Sequence, residues 1–376
     1  MNPIPLIYVI TGLPPGGAET LLLDVVRRLN RSQFEVTVVC FRDGVLAPEF
    51  RRNAQVCCFD IQQRLHPLIF FRLSRIIRDV RPQLVHTHLI EADVIGGITA
   101  VIHKVPVILS TRHGLQHWRK KPLASLVSRP LQWPFTRVIS SSHCVAEFIE
   151  KYNGAEPQKN CLIYNGIDLS RFPFRGICPI GHGVKQVGPI IGCVAMFKPV
   201  KGHEYLIRAF PLVLQRYPGA RLVLVGDGKM RVHLEALVRK LGLGSHVSFV
   251  GICSDVYYWL NRFDVFVLPS LYEGFGIAAV EAMAVGVPVV ASNVGGLAEI
   301  IQDRTTGILI PPGDSDALAE AIGEILANPD LRRDLIQSAR NQVEDKFTID
   351  EHVRRLESMY FGLLESHEAT FHRENH

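Results

Sequence analysis

The sequence lacks the features that typify disulfide-stabilised, metal-binding and membrane-spanning proteins. Its eight cysteines are scattered and include no Cys-x-x-Cys pair, so we expect reduced core thiols in a cytoplasmic protein. No uncharged stretch is predicted to cross a bilayer, because the longest candidate span, residues 282–298, is too short and is interrupted by Pro288 and by several glycines. The first ten residues lack a basic segment and a cleavage site, which favours a buried first strand over a secretory leader.

Charge is unevenly distributed along the 376 residues. Residues 1–180 contain 22 Lys and Arg against 13 Asp and Glu, whereas the remainder contains 19 against 23. A basic first half suits an anionic partner such as a membrane surface, a phosphorylated substrate or nucleic acid. The basic residues are not interleaved with aromatic residues as they are in nucleic-acid-binding modules, so we expect no nucleic-acid partner.

Apolar strand-like runs alternate with helical patterns through the whole chain, which is typical of parallel α/β sheets. In the first half the predicted strands are residues 6–10, 34–41, 56–61, 84–88, 107–111, 137–141 and 161–164. In the second half they are residues 190–197, 221–225, 247–250, 265–268, 287–292 and 308–311. A proline- and glycine-rich stretch, residues 172–188, separates the two series. We therefore predict two doubly wound domains that face a crevice.

The segment after the apolar run 264–270 combines carboxylates with a glycine-flanked aromatic residue. It places Glu273 in a loop beside Phe275, and Glu281 in the second turn of a predicted helix. A strand, a glycine loop and a helix in this order form the place where α/β sheets bind phosphorylated ligands. Carboxylates repel phosphate, so we assign both to neutral hydroxyls, such as those of a sugar and a ribose. The alternative is an ordinary loop followed by a solvated helix residue.

Other candidate residues follow other predicted strands. Gly16 and Gly17 open the first helix, where backbone amides can approach an anion, although glycine turns are also common at this place. His113 follows the fifth strand, either as a site residue or as a polar loop histidine. His86 and His88 alternate at the end of the fourth strand, but no nearby acidic residue or cysteine completes a metal site. We therefore predict no bound metal.

These residues resemble the signature of the retaining glycosyltransferases of the GT-B fold, the family-four group. That signature contains two glutamates separated by seven residues, as Glu273 and Glu281 are. The resemblance covers most of the chain and continues through the small-residue segments that follow: residues 282–291, Gly295, Gly296, Glu299 and residues 307–314.

The resemblance implies that two Rossmann-like domains bind different substrates. Residues 1–172 would form an N-terminal acceptor-binding domain, and residues 189–349 a C-terminal domain that binds the nucleotide-sugar donor. A last helix, at about residues 350–376, would pack back on the first domain. The resemblance also implies that neither a metal ion nor another cofactor is required.

Individual site residues are carried over from the same resemblance. The catalytic residues would be His113, Lys201 and Glu273. The donor-binding residues would be Gly16, Gly17, Lys198, Gly226, Asp227, Val250, Gly274, Phe275, Gly276, Ile277 and Glu281. In this scheme Lys201 places its charge on the donor diphosphate. Most relatives pair this lysine with an arginine where this chain has Met196, so either Lys198 replaces that arginine or the clamp is weaker.

The activity implied by the resemblance is the transfer of a hexose, with its anomeric configuration retained. The donor would be a nucleoside diphosphate sugar, with UDP as the expected nucleotide. The acceptor would be a hydroxyl of a glycan or glycolipid in cell-surface polysaccharide or lipopolysaccharide synthesis. Two alternatives stay open: a sugar-nucleotide epimerase of similar fold, and a catalytically inactive partner subunit, which the departure at Met196 favours.

One stretch of the basic half predicts contact with an anionic membrane at its cytosolic face. Residues 119–121 are Arg, Lys and Lys, and they precede an apolar stretch, 122–135, in which only Arg129 is charged. An apolar helical face flanked by basic residues and tryptophan can lie in a headgroup layer. The alternative is an ordinary domain helix whose apolar face packs on the sheet.

Overall fold

The computed structural model describes residues 3–63, 65–114, 129–178 and 188–374. The chain divides into two compact units. Unit 1 consists of Met1–Gly166 together with Ile349–His376, and unit 2 consists of Ile167–Thr348.

Unit 1 contains a seven-stranded sheet in the order β3-β2-β1-β4-β5-β6-β7. Each neighbouring pair of these strands is parallel. The strands are β1 (Ile4–Gly12), β2 (Phe34–Arg42), β3 (Gln55–Cys58), β4 (Leu84–His88), β5 (Val107–Arg112), β6 (Arg137–Ser140) and β7 (Asn160–Leu162).

Unit 2 contains a six-stranded sheet in the order β10-β9-β8-β11-β12-β13, and its neighbouring strands are also parallel. The strands are β8 (Ile190–Val194), β9 (Arg221–Val225), β10 (Val247–Gly251), β11 (Val265–Leu268), β12 (Val289–Ser292) and β13 (Ile308–Ile310). Each of the thirteen predicted strands is present, and the predicted α/β class is confirmed.

Helices connect the strands in both units. They are α1 (Gly17–Arg28), α2 (Ala47–Asn53), α3 (Pro67–Val80), α4 (Ile90–Ile102), α5 (His143–Phe148), α6 (His203–Arg216), α7 (Arg231–Lys240), α8 (Val256–Leu260), α9 (Ile277–Val285), α10 (Gly295–Ile300), α11 (Ser315–Ala327), α12 (Pro329–Lys346) and α13 (Ile349–Glu374). Parallel strands covered on both faces are apolar along their whole length rather than alternating. Strand β11 follows this rule, since Val265, Phe266 and Val267 are fully buried.

The last helix, α13, is attached to the sheet of unit 1 by buried polar contacts. The hydroxyls of Tyr360 and Tyr8 are 3.0 Å apart, and both side chains are fully buried. Tyr360 also packs edge-on against Phe34, with ring centroids 5.8 Å apart. Nearer the start of the helix, Nδ1 of His352 lies 2.7 Å from the carbonyl oxygen of Tyr164. The end of the chain therefore contributes to the core of unit 1.

Part of the predicted linker and most of the predicted membrane-contact segment lie outside the described residues. The described start of the linker is anchored in unit 2, since Arg175 donates to the carbonyl oxygen of Asn261 at 2.9 Å. Residues 119–121 and 122–128 are not described; at the end of that segment Trp133 is 70% exposed and Phe135 is buried. Among the described helices, none combines the length and apolar character that crossing a bilayer requires.

A buried polar network fixes the ends of β4 and β5 against α4 in unit 1. Asp93, in the first turn of α4, accepts hydrogen bonds from the hydroxyls of Thr87 at 2.5 Å and Ser110 at 2.7 Å. Its other oxygen forms an ion pair with Arg112, whose guanidinium also donates to Gln132 at 3.3 Å. Both charged side chains are almost completely buried, so each depends on the other for compensation of its charge.

We predict that Asp93→Ala destabilises unit 1 by about 3–5 kcal/mol, because it leaves the Arg112 charge buried and unpaired. Hydrogen exchange of the β4 and β5 amides measures this loss locally. Asp79→Ala is the control within the same unit, since it removes the exposed ion pair with Arg75 and is expected to cost less than about 1 kcal/mol. Equal losses in the two variants would contradict the structural role of the buried pair.

Candidate functional site

Each sheet reverses its strand order at one point, between β1 and β4 in unit 1 and between β8 and β11 in unit 2. Ligands of doubly wound sheets bind outside the carboxyl ends of the strands at such a point. The last residue of β4 is His88, and the residues that follow the other three strands include Gly16, Lys201 and Glu273. Within each unit, the fold therefore gathers candidate residues from distant parts of the sequence at the expected place.

In unit 2, the loops after β8 and β11 are held in contact by close backbone packing and a hydrogen bond. A single helical turn, Pro199–Lys201, leads into Gly202, which has a φ of 65°. A Cβ at Gly202 would lie only 2.0 Å from the carbonyl oxygen of Pro269, so both the conformation and the close approach require glycine. The amide of Leu271 also donates to the carbonyl oxygen of Val200 at 2.8 Å.

This approach brings Lys201 and Glu273 into an ion pair between Nζ and Oε2. Both side chains are largely buried, with exposed fractions of 24% and 13%. The hydroxyl of Ser270 lies 3.4 Å from the same carboxylate oxygen, and the amide of Gly296 donates to the Glu273 carbonyl at 3.1 Å. The sequence predicted both charged residues but not their pairing, since they lie 72 positions apart.

Helix α9 begins directly after this pair. Its N-terminal neighbour, Gly276, has a φ of 104°, and a Cβ there would lie 2.5 Å from Cδ2 of Leu297. Phe275 is buried edge-on against Phe347, which anchors the glycine loop. The first-turn amides of a helix have no acceptor within the helix and carry partial positive charge. Glu281, half-buried, lies in the second turn of α9, as predicted.

Lys198, the candidate replacement for the arginine absent at Met196, lies at the surface of the loop after β8. Lys198 is exposed, and Met196 is 52% exposed. The amide of Lys198 donates to the carbonyl of Met196 at 2.8 Å, so the two residues form one tight turn. Lys198 borders a small pocket together with His203, Glu204, Met230 and Leu234. Its positive charge is therefore available beside the loop that carries Lys201.

The predicted donor-binding residues at the ends of β9 and β10 are held together by a backbone hydrogen bond. The amide of Gly226 donates to the carbonyl of Gly251 at 2.8 Å. The carboxylate of Asp227 accepts from the amide of Gly228 at 2.7 Å and from Arg231 at 3.2 Å. Asp227 thus orders its own loop, while Val250 is half-buried at the end of β10. Their contact with a donor stays a prediction.

In unit 1, the glycine loop after β1 is supported by its neighbouring glutamate. Gly16 caps α1 and Gly17 is the first residue of that helix. A Cβ at Gly16 would lie 2.4 Å from Oε2 of Glu19, so this carboxylate packs directly on the loop. Burial raises the pKa of Glu19, and a hydrogen bond to its own backbone amide opposes that increase.

Three imidazole rings lie at the ends of β4 and β5. The ring centroids of His86 and His88 are 4.5 Å apart, and those of His88 and His113 are 5.3 Å apart. Burial lowers the pKa of His86 and of His113 to about 3, and repulsion between protonated rings, from His113 and His352 on His86 and from His352 on His113, opposes protonation further. Burial also holds the pKa of His88 well below its ordinary value. All three rings are therefore neutral at pH 7.

Two family models match the chain: Glycosyltransferase Family 4 over residues 15–171, and Glycosyl transferases group 1 over residues 181–342. An uncharacterized glycosyltransferase of Methanocaldococcus jannaschii is 35% identical over 237 residues, or 60% of this chain; the chain spans only 59% of that relative. The UDP-Gal:alpha-D-GlcNAc-diphosphoundecaprenol alpha-1,3-galactosyltransferase of Escherichia coli is 25% identical over 365 residues, covering 93% of this chain and 94% of that relative.

The crystal structure of Anabaena HepE in complex with UDP-glucose has a similar fold. Its TM-score is 0.82 at 22% sequence identity, over 95% of this chain and 100% of that one. At this identity the likeness establishes the fold alone. Together with the two parallel α/β units, it confirms the predicted GT-B class.

We predict that unit 1 loses stability as the pH falls from 7 to 5. The folded-state pKa values of His86 and His113 are about 3 and that of His352 is about 4, whereas unfolded histidine has a pKa of about 6.5. Between these values only the unfolded chain binds protons, so the free energy of unfolding decreases with falling pH. Each buried histidine contributes a loss of up to about 2 kcal/mol at pH 5.

Hydrogen exchange of the unit 1 core, measured at pH 7, 6 and 5 and corrected for the intrinsic exchange rate, tests this prediction. The exposed His367 supplies a control, because His367→Gln should leave the pH dependence unchanged. A free energy of opening that stays constant from pH 7 to 5 would show that the buried rings are not the neutral groups described above.

Proposed function

The chain belongs to the glycosyl transferases of group 1, and from this membership we propose that it is a retaining hexosyltransferase using a nucleoside diphosphate sugar. The observation that carries the proposal is the Lys201–Glu273 ion pair, which lies where the strand order of unit 2 reverses and directly before helix α9. A cation, a carboxylate and helix amides at one edge suit a ligand that has both a diphosphate and sugar hydroxyls.

In the proposed donor complex each polar group has a separate task. Lys201 and the first-turn amides of α9 bind the diphosphate, with Lys198 as a second cation. Glu273 accepts hydrogen bonds from hexose hydroxyls, and Glu281 from ribose hydroxyls. The complex of Anabaena HepE with UDP-glucose and the UDP-Gal in the name of the E. coli relative favour UDP as the nucleotide.

The proposed reaction exchanges one bond at the anomeric carbon of the hexose. The bond to the β-phosphate oxygen breaks, and its electron pair leaves with the nucleoside diphosphate. An acceptor hydroxyl forms the new bond on the same face, and its proton passes to the departing phosphate oxygen, so the configuration is retained. Lys201 and the α9 amides stabilise the negative charge that develops on that oxygen. This role is the one a divalent cation would otherwise fill, so we propose that no metal is required.

We propose that the acceptor is a lipid-linked glycan used in cell-surface polysaccharide synthesis, reached at the cytosolic face of a membrane. The E. coli relative, which matches over 93% of this chain, is named for a sugar linked to diphosphoundecaprenol. The excess of basic residues in the first 180 positions suits both a diphosphate and an anionic membrane surface.

An assay of nucleoside diphosphate release separates this function from its two rivals. Purified protein is incubated with a panel of UDP- and GDP-hexoses, with and without a diphospholipid-linked N-acetylglucosamine. We expect release of UDP that depends on the acceptor and continues in EDTA. An epimerase would change the sugar without releasing UDP, and an inactive subunit would do neither. Activity that disappears in EDTA and returns with Mn²⁺ would contradict the metal-free mechanism.

We predict that Lys201→Ala lowers kcat by roughly 10²–10³, the usual effect of removing one preorganised stabiliser of a developing oxyanion. Lys198→Ala should cause a similar loss if this residue replaces the arginine absent at Met196, and little loss otherwise. Lys240→Ala, which removes an exposed lysine of the same unit, is the control.

Steady-state kinetics and the thermal midpoint of each variant are measured together. Because Lys201→Ala leaves Glu273 without its cation, the double variant Lys201→Ala with Glu273→Gln separates a catalytic loss from an effect of the unpaired carboxylate. Unchanged kcat in Lys201→Ala would remove this residue from the proposed mechanism.

A further inference from the structure

The three stacked imidazoles of unit 1 differ in how their nitrogens are used. His86 has both nitrogens occupied: Nδ1 lies 2.7 Å from the hydroxyl of Tyr360, and Nε2 lies 2.7 Å from the hydroxyl of Thr111. It therefore joins α13 to the end of β5 and has no nitrogen left for a ligand. This arrangement gives His86 a structural role.

His88 and His113 share a single hydrogen bond, between Nδ1 of His88 and Nε2 of His113 at 3.0 Å. The outer nitrogens, Nε2 of His88 and Nδ1 of His113, are buried and have no hydrogen-bond partner among the described residues. Buried polar atoms in native proteins are ordinarily hydrogen-bonded. Both outer nitrogens therefore need a partner that the described part of the protein does not supply.

The shared hydrogen bond couples the protonation of the two rings. A neutral imidazole carries one N–H donor and one acceptor nitrogen, so one ring must donate in the shared bond and the other must accept. If His88 donates, the outer nitrogen of His113 is a donor and that of His88 an acceptor. If His113 donates, the outer nitrogen of His113 is an acceptor and that of His88 is a donor. The tautomer of His88 therefore determines whether the outer nitrogen of His113 is a hydrogen-bond donor or an acceptor.

We propose that His88 is a positioning residue that holds His113 in one tautomer, so that Nδ1 of His113 presents a fixed hydrogen-bonding polarity to a sugar hydroxyl. This inference rests on the proposed function, which takes a sugar as the substrate. A hydroxyl is a suitable partner because it is neutral and can donate or accept, whereas a charged group would be poorly solvated beside two buried neutral rings.

The stacking arrangement supports this assignment to His88 rather than to its neighbours. His88 lies between the other two rings, tilted by 28° from His86 and by 20° from His113. The ring of Tyr8 packs on it as well, with centroids 5.8 Å apart. Its orientation is therefore fixed by packing on several sides, as a residue that positions another must be.

Two variants of His88 separate the hydrogen bond from the packing. His88→Phe keeps a ring between His86 and His113 but has no nitrogen. His88→Asn places an amide where Nδ1 was, and this amide can still bond to His113. The tautomer of His113 is read from its ring nitrogen shifts in the full chain labelled with ¹⁵N-histidine, and His367→Gln is the control.

We expect one His113 tautomer in the wild type and in His88→Asn, and a mixture or the opposite tautomer in His88→Phe. We also expect His88→Phe to lower kcat for UDP release by about tenfold, the effect of one misdirected hydrogen bond, with little change in the donor KM. His88→Asn should restore most of that rate.

Two results would overturn the proposal: the same single His113 tautomer in His88→Phe as in the wild type, or a kcat in His88→Asn as low as in His88→Phe while the tautomer is preserved. The nitrogen shifts require no substrate. If the wild type transfers no sugar, the proposed function fails, and the coupling of the two rings is still tested.

Discussion

Parallel pairing of the strands is the constraint on which the rest of the structure depends. It places the carboxyl ends of all strands of a sheet along one edge and requires helices on both faces. Where the strand order reverses, the loops after two adjacent strands lead to opposite faces and leave room between them. The loops after β8 and β11 lie at such a point in unit 2, and Lys201 and Glu273 meet there for this reason.

The contact between Lys201 and Glu273 is stabilised by their opposite charges as well as by the packing of their loops. A partly buried lysine and carboxylate compensate each other's desolvation, and the backbone contacts between their loops hold them in place. Gly202 and Pro269 approach so closely that no side chain fits between them. A donor diphosphate would bring negative charge to Lys201, while the hydroxyls of a sugar would give Glu273 new donors. The ion pair therefore holds the cation of Lys201 and the carboxylate of Glu273 side by side, where a single nucleotide sugar would contact both.

Unit 1 uses buried groups differently. At the strand ends it buries the Asp93–Arg112 ion pair, while the neighbouring imidazoles are kept neutral by burial. Neutral rings hydrogen-bond to hydroxyls without attracting phosphate. His86 is fully occupied by Tyr360 and Thr111, whereas His88 and His113 keep one nitrogen each. The number of hydrogen bonds made by each ring therefore separates a structural histidine, His86, from the candidate site histidines, His88 and His113.

The sequence by itself determined the thirteen strands, the α/β class and the glycine loop before α9, because these depend on local apolar runs and local backbone requirements. It also indicated Glu273, Glu281 and Lys201 as candidates. Only the tertiary structure decided which of them touch, since the Lys201–Glu273 contact depends on the packing of two loops 72 positions apart. It likewise decided the difference between His86 and His88, because alternation along β4 makes the two histidines equivalent until Tyr360, from the far end of the chain, occupies one of them.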